Sequence, residues 1–270
     1  MSLPREVEEV ATLYRALAGE TVRGAFVIGS AALGDWWPGA SDIDLVALVD
    51  TVDPSHDERL REIHARVRAD AGAGTAPDLD VVYLLHRDLA RAPADVGERP
   101  HHRDGLLRRD TGMTTPVIWH SLAEHGVSVP GADGARAELG EVWLDGATLR
   151  DWCRGNLASN WTRWAAQGAQ PATRGGMALL TDWAVAWCVL GVLRLRFTID
   201  SGAITSKSGA GLWALSTLAL DADERALVEE ALALRGALTD APAKALGREH
   251  AVARRERVVA FLRCVIREAA

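Results

Sequence analysis

Three aspartates stand where this chain could carry out phosphoryl chemistry. The segment Ser41-Asp42-Ile43-Asp44-Leu45 sets two carboxylates two residues apart in an apolar run that reads as a strand. Strand side chains alternate, so Asp42 and Asp44 project from one face while Ile43 points into the core. Two carboxylates side by side repel each other, and a hard divalent cation such as Mg²⁺ relieves that repulsion through oxygen ligands. A third acid, Asp80, heads the run Leu79-Asp80-Val81-Val82-Tyr83. If this strand pairs with the one carrying Asp42 and Asp44, three carboxylates meet, as a two-metal phosphoryl-transfer site requires. Asp80 then binds metal or deprotonates an acceptor hydroxyl. Asp78 shares the face of Asp80 and is its rival. Asp80 is preferred because it sits directly against the apolar run, where a carboxylate needs a reason to be.

The elements that must position these acids follow from the surrounding pattern. Val7, Val10, Leu13, Tyr14 and Leu17 fall on one face of a helix over residues 5–20. A buried strand, Ala25-Phe26-Val27-Ile28, ends at Gly29-Ser30, eleven residues before the Asp-x-Asp segment. Glycine lets the backbone approach a phosphate, and Ser30 adds a hydroxyl donor. Residues 31–41 read as a loop with one helical turn at its start, in which Gly34 and Gly39 allow the chain to fold back. A strand over 42–49, a helix from Asp53-Pro54 to about Asp70, a small-residue loop over 71–77 and a strand over 79–85 complete a small α/β domain with a mixed sheet. The stretch from Arg87 to Arg109 mixes Pro, His and Arg with weak periodicity and reads as a linker and surface excursion. Its pair His101-His102 reads as part of a surface loop.

After residue 111 the pattern is helical, with helices expected over 114–125, 146–167, 174–199, 207–219, 222–238 and 248–268. Asp145, Thr173, Ser206 and Asp221 are the expected N-caps. The division expected is an α/β domain over 1–100 and an all-α helical bundle over 101–270. Trp152, Trp161, Trp164, Trp183 and Trp187 lie on these helices and read as core. Trp36-Trp37, in the loop before Asp42, is weighed evenly between lining the site and packing locally. The Arg-rich segments 87–109 and 248–257 read as solvated faces.

Bulk properties narrow the class. The 270 residues carry a net charge of −7, which does not favour nucleic acid or an anionic membrane. Cys153, Cys188 and Cys264 are scattered and odd in number, against both a disulfide framework and a structural zinc site. The acidic N-terminus lacks an apolar signal segment, so the expected location is the cytoplasm.

The pattern Gly29-Ser30 … Ser41-Asp42-Ile43-Asp44, with Asp80 opening the next acidic strand, resembles the signature of polymerase β-type nucleotidyltransferases. The chain is most similar in layout to the aminoglycoside 3″/9 adenylyltransferase family, which joins such a domain to a helical one of similar size. Leu79-Asp80-Val81-Val82-Tyr83 is similar to the family's third acidic strand, with Asp for Glu. Trp119-His120 … Gly126-Val127 … Gly131 resembles its linker helix. The stretch Arg194 to Lys207, ending Thr198-Ile199-Asp200-Ser201-Gly202-Ala203-Ile204-Thr205-Ser206-Lys207, matches the family's Arg … Thr-Gly-x-Ile-x-x-Lys without gaps. The resemblance implies that Arg194 and Lys207 reach the ATP phosphates. Lysine is rare here, only Lys207 and Lys244, and one of the two sits at an expected helix N-terminus, a good polyphosphate site. The implied nucleotide-binding set is therefore Gly29, Ser30, Ser41, Arg194 and Lys207, with Asp42, Asp44 and Asp80 as catalytic and metal-binding residues.

The implied activity is Mg²⁺-dependent transfer of AMP from ATP to a hydroxyl of a small molecule, with an aminoglycoside such as streptomycin or spectinomycin as the family's acceptor and a monomer as the expected state. The alternatives are another small-molecule acceptor, a macromolecule such as tRNA or protein, and a non-catalytic nucleotide-binding protein. Two family features are unmatched. The interdomain Trp that stacks on the drug is absent from His101-His102-Arg103-Asp104-Gly105. The Asp-Glu-Arg run before the phosphate-binding Arg falls on Ala184-Val185-Ala186, with Asp182 nearby but out of register. Trp36, Trp37, Asp104, Asp110 and Asp182 are the groups that could serve instead.

Overall fold

A computed structural model describes residues 2–72, 77–131, 134, 137–236 and 248–269. Most of the expected loop over 71–77, the last two residues of the helix expected to reach 238, and Lys244 lie outside the described residues. The chain divides into two compact units, Met1–Asp145 and Gly146–Ala270.

In the first unit a six-stranded mixed sheet has the order β5-β4-β3-β2-β1-β6. Its strands are β1 (Gly24–Ile28), β2 (Ile43–Val49), β3 (Leu79–Leu85), β4 (Arg99–Arg103), β5 (Leu106–Asp110) and β6 (Val127–Val129). Among the described residues only β2 and β3 pair in parallel, joined by helix α3 (Asp57–Asp70). Every residue of β3 is buried, as a strand covered on both faces must be. Alternation sends Leu45, Val81 and Tyr83 into one core with Val7, Tyr14, Ile63 and Val67, from helix α1 (Arg5–Ala18) and α3. Val46, Val82 and Leu84 enter the other core, with Trp119 and Leu122 of helix α5 (Pro116–His125). Two short helices, α2 (Gly29–Ala32) and α4 (Pro93–Val96), lie between strands.

The boundary expected near residue 100 lies instead between Asp145 and Gly146. The stretch 87–109 is no linker, because it builds the β4–β5 hairpin, which extends the sheet from β3. Arg87, Arg91, Arg103 and Arg108 are exposed as expected, but two of its arginines are not solvated. Arg99 donates to both carboxylate oxygens of the fully buried Asp88, at 2.8 Å each. Arg109 donates through Nε to Asp57 at 2.9 Å and through a terminal nitrogen to the Val52 carbonyl at 2.7 Å. Val127-Ser128-Val129, expected within helical territory, instead pairs with the edge of β1.

His101 and His102 belong to β4 rather than a surface loop. The His102 ring stacks on His64 of α3 with centroids 3.5 Å apart and planes 9° from parallel. His102 Nδ1 lies 3.1 Å from the Leu79 carbonyl, and His64 Nε2 lies 2.8 Å from the Tyr83 hydroxyl. Burial lowers the His64 pKa to about 2, and burial lowers that of His102 as well.

The second unit is helical: α6 (Gly146–Asn156), α7 (Thr162–Gly168), α8 (Arg174–Ala178), α9 (Asp182–Ser201), α10 (Lys207–Thr217), α11 (Ala222–Leu234) and α12 (Arg248–Ala269). Helix α9 is its centre, packed against α6, α10, α11 and α12. The single helix expected over 174–199 is two. The Thr181 side chain accepts from the Ala184 N–H and starts a new helix. A π-helical segment, Leu157–Trp161, joins α6 to α7. Thr173, Ser206 and Asp221 cap their helices as expected. Trp161 is core, whereas Trp183 is 60% exposed and stacks on Trp187. The segment 248–257 is not wholly solvated, since Arg254 is buried and paired with Asp182 and Glu230. No helix among the described residues is long and apolar enough to cross a membrane.

The depressed pKa of His64 makes a prediction. The unfolded chain takes up the imidazole proton below the ordinary value of 6.5, while the folded protein refuses it until about pH 2. Stability is therefore retained above pH 6.5 and falls as pH drops below it, by up to about 1.4 kcal/mol per pH unit for one such group. Asp80, whose pKa is raised to about 7, contributes the opposite slope in this window, so urea titrations between pH 7 and pH 5 should show His64→Gln losing about one proton's worth less stability than the wild type on acidification.

Candidate active site

Strand pairing gathers the acids at one end of the sheet. The parallel register of β2 and β3 sets Asp44 opposite Asp80, and the antiparallel register of β1 and β2 sets Ile28 opposite Asp44. The Gly29-Ser30 turn therefore begins at the same end. Ile43 is fully buried in the α1/α3 core. Asp44 and Asp80 share the other face, on the side of Val46 and Val82, and the exposed Asp42 immediately precedes β2.

The electrostatics agree with this placement. Burial, followed by the charges of Asp44 and Asp42, raises the Asp80 pKa to about 7 against the opposing pull of Arg103. Asp78, the rival third acid, is exposed and lines a cleft with His64, His102, Arg61 and Arg68 instead. Its backbone carbonyl accepts from the Ile43 N–H at 2.8 Å, which helps register β2 on β3.

Gly29 has a specific steric reason to be glycine. Its φ is +66°, and a Cβ there would lie 2.9 Å from Asp44 Cγ and 3.2 Å from Asp44 Cβ, with Oδ2 nearer still. The turn backbone thus runs directly beneath the Asp44 carboxylate. The Ser30 carbonyl accepts from the Asp35 N–H at 2.9 Å. The Ser41 hydroxyl accepts from the Trp37 N–H at 3.1 Å and closes the loop just ahead of Asp42. Trp36 is buried in the α1/α3 core, while the half-buried Trp37 donates its indole N–H to Asp35 at 2.9 Å.

Arg103 and Asp104 belong to this end of the sheet and were not singled out as catalytic from the sequence. Arg103 Nε lies 3.6 Å from Asp80 Oδ2, and the charge of Asp104 also acts on Asp80. Asp104 and Gly105 both have positive φ, 52° and 73°, and form the two-residue turn of the β4–β5 hairpin. An Asp-Gly pair is among the strongest short-range hairpin signals, so the sequence did hold the clue. Asp110 sits at the other end of that hairpin, opposite Arg99.

Arg194 lies on α9 and Lys207 opens α10, both in the second unit. Arg194 Nε donates to the Thr205 carbonyl at 3.2 Å, two residues before Lys207 opens α10. Asp182 of this unit pairs with Arg254 at 2.8 Å.

Hard oxygen donors on adjacent strand ends, one of them carrying a raised proton affinity, suit a divalent cation. They are neighbours rather than a closed cage. Among the described residues no three acid, imidazole or thiol groups form a ready-made ion site.

No family model matches the sequence, and no curated protein matches it. Solved structures do match in fold. One is spectinomycin adenyltransferase AAD(9) from Enterococcus faecialis, determined with ATP and spectinomycin. The superposition has a TM-score of 0.63 at 11% identity and covers 97% of this chain and 100% of that one.

Gly29→Ala is expected to destabilise the protein by about 1–3 kcal/mol, through its positive φ and its collision with Asp44. In an Asp44→Ala background the collisions with Cγ and Oδ2 disappear and the cost should fall. Equal costs in the two backgrounds, measured by denaturant unfolding, would show that Asp44 does not lie over the turn.

Proposed function

We propose that the protein is a Mg²⁺-dependent nucleotidyltransferase that moves AMP from ATP to a hydroxyl of a small-molecule acceptor. The observation that carries this reading is the pairing of Asp44 with Asp80 beside the Gly29-Ser30 turn, with Asp42 one residue ahead of the strand. The fold shared with an adenyltransferase adds support.

In this reading Asp42, Asp44 and Asp80 hold the ion, and Mg²⁺ when bound supplies positive charge against the triphosphate oxygens. The Gly29 backbone leaves room for the Asp44 carboxylate beside the phosphates, and Ser30 and Ser41 lie on the loops that flank it. Arg194 and Lys207 supply cationic contacts to the leaving pyrophosphate. As the alternative to holding the ion, Asp80 takes the proton of the attacking hydroxyl. Catalysis is then mostly positioning and charge compensation.

The acceptor proposed is an aminoglycoside-type antibiotic, with spectinomycin first because the similar adenyltransferase was solved with it. The test is pyrophosphate release with ATP, Mg²⁺ and a panel containing spectinomycin and streptomycin. Turnover with a panel member supports the reading. ATP binding with silence across the panel would redirect the search to other hydroxyl acceptors, and no ATP binding would sink it. Asp42→Asn should lower turnover by about two orders of magnitude or more without loss of fold. Lys207→Ala should chiefly raise the KM for ATP.

A further inference from the structure

The hairpin that ends at Arg103 is braced far more heavily than a surface excursion needs. Its outer end is tied by Arg99 to the buried Asp88 and by Arg109 to Asp57 and the Val52 carbonyl. Near its tip, His102 stacks on His64 and bonds to the Leu79 carbonyl on the α3 side of the sheet. The register that pairs Val81 with His102 and Val82 with His101 carries Arg103 opposite Asp80. Opposed residues of an antiparallel pair share a face, so Arg103 and Asp80 project together on the side away from His64. A slip of one residue would send Arg103 to the wrong face and His102 off its stack. The bracing therefore fixes one cation against one carboxylate. Arg103 is half-exposed at 53%, while the Asp80 side chain is 10% exposed, so the guanidinium can leave and the carboxylate cannot.

We propose that Arg103 is a positioning residue that serves as the resident counter-cation of the Asp42–Asp44–Asp80 edge, holding Asp80 in the ion-free protein and competing with the divalent cation for it. This rests on the nucleotidyltransferase reading of the site. A fixed positive charge beside Asp80 stabilises the edge while no ion is present and repels an arriving one. Its removal therefore has opposite effects in the two states, which a purely structural role does not produce.

The probe is Mn²⁺ alone, on the full chain, read by thermal unfolding and by electron paramagnetic resonance of the free ion. Without Mn²⁺, Arg103→Gln should melt below the wild type. With saturating Mn²⁺ the deficit should close or reverse, and the Mn²⁺ Kd of the variant should fall about three- to tenfold. Arg103→Lys, which keeps the charge, should restore wild-type behaviour. Arg23→Gln, at the opposite end of the sheet and paired with Asp50, controls for net charge and should leave the Kd unchanged. In an Asp80→Asn background the effect of Arg103→Gln on the Kd should vanish. An Arg103→Gln variant that binds Mn²⁺ no tighter than wild type, or an equal tightening in Arg23→Gln, overturns the proposal and leaves the function standing. A wild-type protein that binds no Mn²⁺ overturns the function and this inference with it.

Discussion

Two carboxylates face each other across the centre of the sheet, and much of the first unit can be understood as what it takes to hold them there. Asp44 and Asp80 are direct neighbours in the parallel β2–β3 register, with Asp42 close enough to add to the strain. Like charges in that position oppose strand pairing. The pairing survives because the rest of both strands is buried on both sides, in cores contributed by α1 and α3 on one face and α5 on the other. The apolar runs Leu45 to Val49 and Val81 to Leu85 outweigh the repulsion at their heads. A site of this kind needs a sheet with two covered faces.

The hairpin β4–β5 solves a second part of the same problem. Its position is set by ion pairs that are partly or wholly removed from water, Arg99 with Asp88 and Arg109 with Asp57. Such pairs add little net stability because desolvation offsets most of their attraction, but they are intolerant of displacement. Their effect here is positional. They hold the strand whose end carries Arg103 at the one register that also seats His102 on His64. A positive charge is delivered to the crowded carboxylate edge by contacts made far from it.

How much of this was legible in the sequence divides along physical lines. Strands β1 to β3 were readable because their burial is written locally, as apolar runs bounded by Gly29-Ser30, Asp42 and Asp80. The hairpin was not, because Arg99-Pro100-His101-His102-Arg103 looks like solvated surface. Its charges are neutralised by Asp88, and on the second strand by Asp57, partners remote in sequence that only the fold supplies. The same blindness hid the buried Arg254, whose partners Asp182 and Glu230 lie on other helices. The three-residue strand β6 was too short to show a period and is defined only by the edge of β1. Missing these two additions is what placed the domain boundary near residue 100.

The turn between α9 and α10 is held by its own hydrogen bonds. Gly202 adopts a left-handed conformation and its N–H returns to the Thr198 carbonyl, while the Thr198 hydroxyl donates to the Ala203 carbonyl at 2.9 Å. The Ser206 side chain accepts from the Gly209 N–H at 3.0 Å, and Arg194 bonds to the Thr205 carbonyl. This braced turn presents Lys207 as the first residue of α10, in a first helical turn without an acid. A lysine there opposes the positive end of the helix dipole, where an acidic side chain would be the stabilising choice. Its position is therefore set by the Ser206 cap and the turn's hydrogen bonds rather than by helix electrostatics.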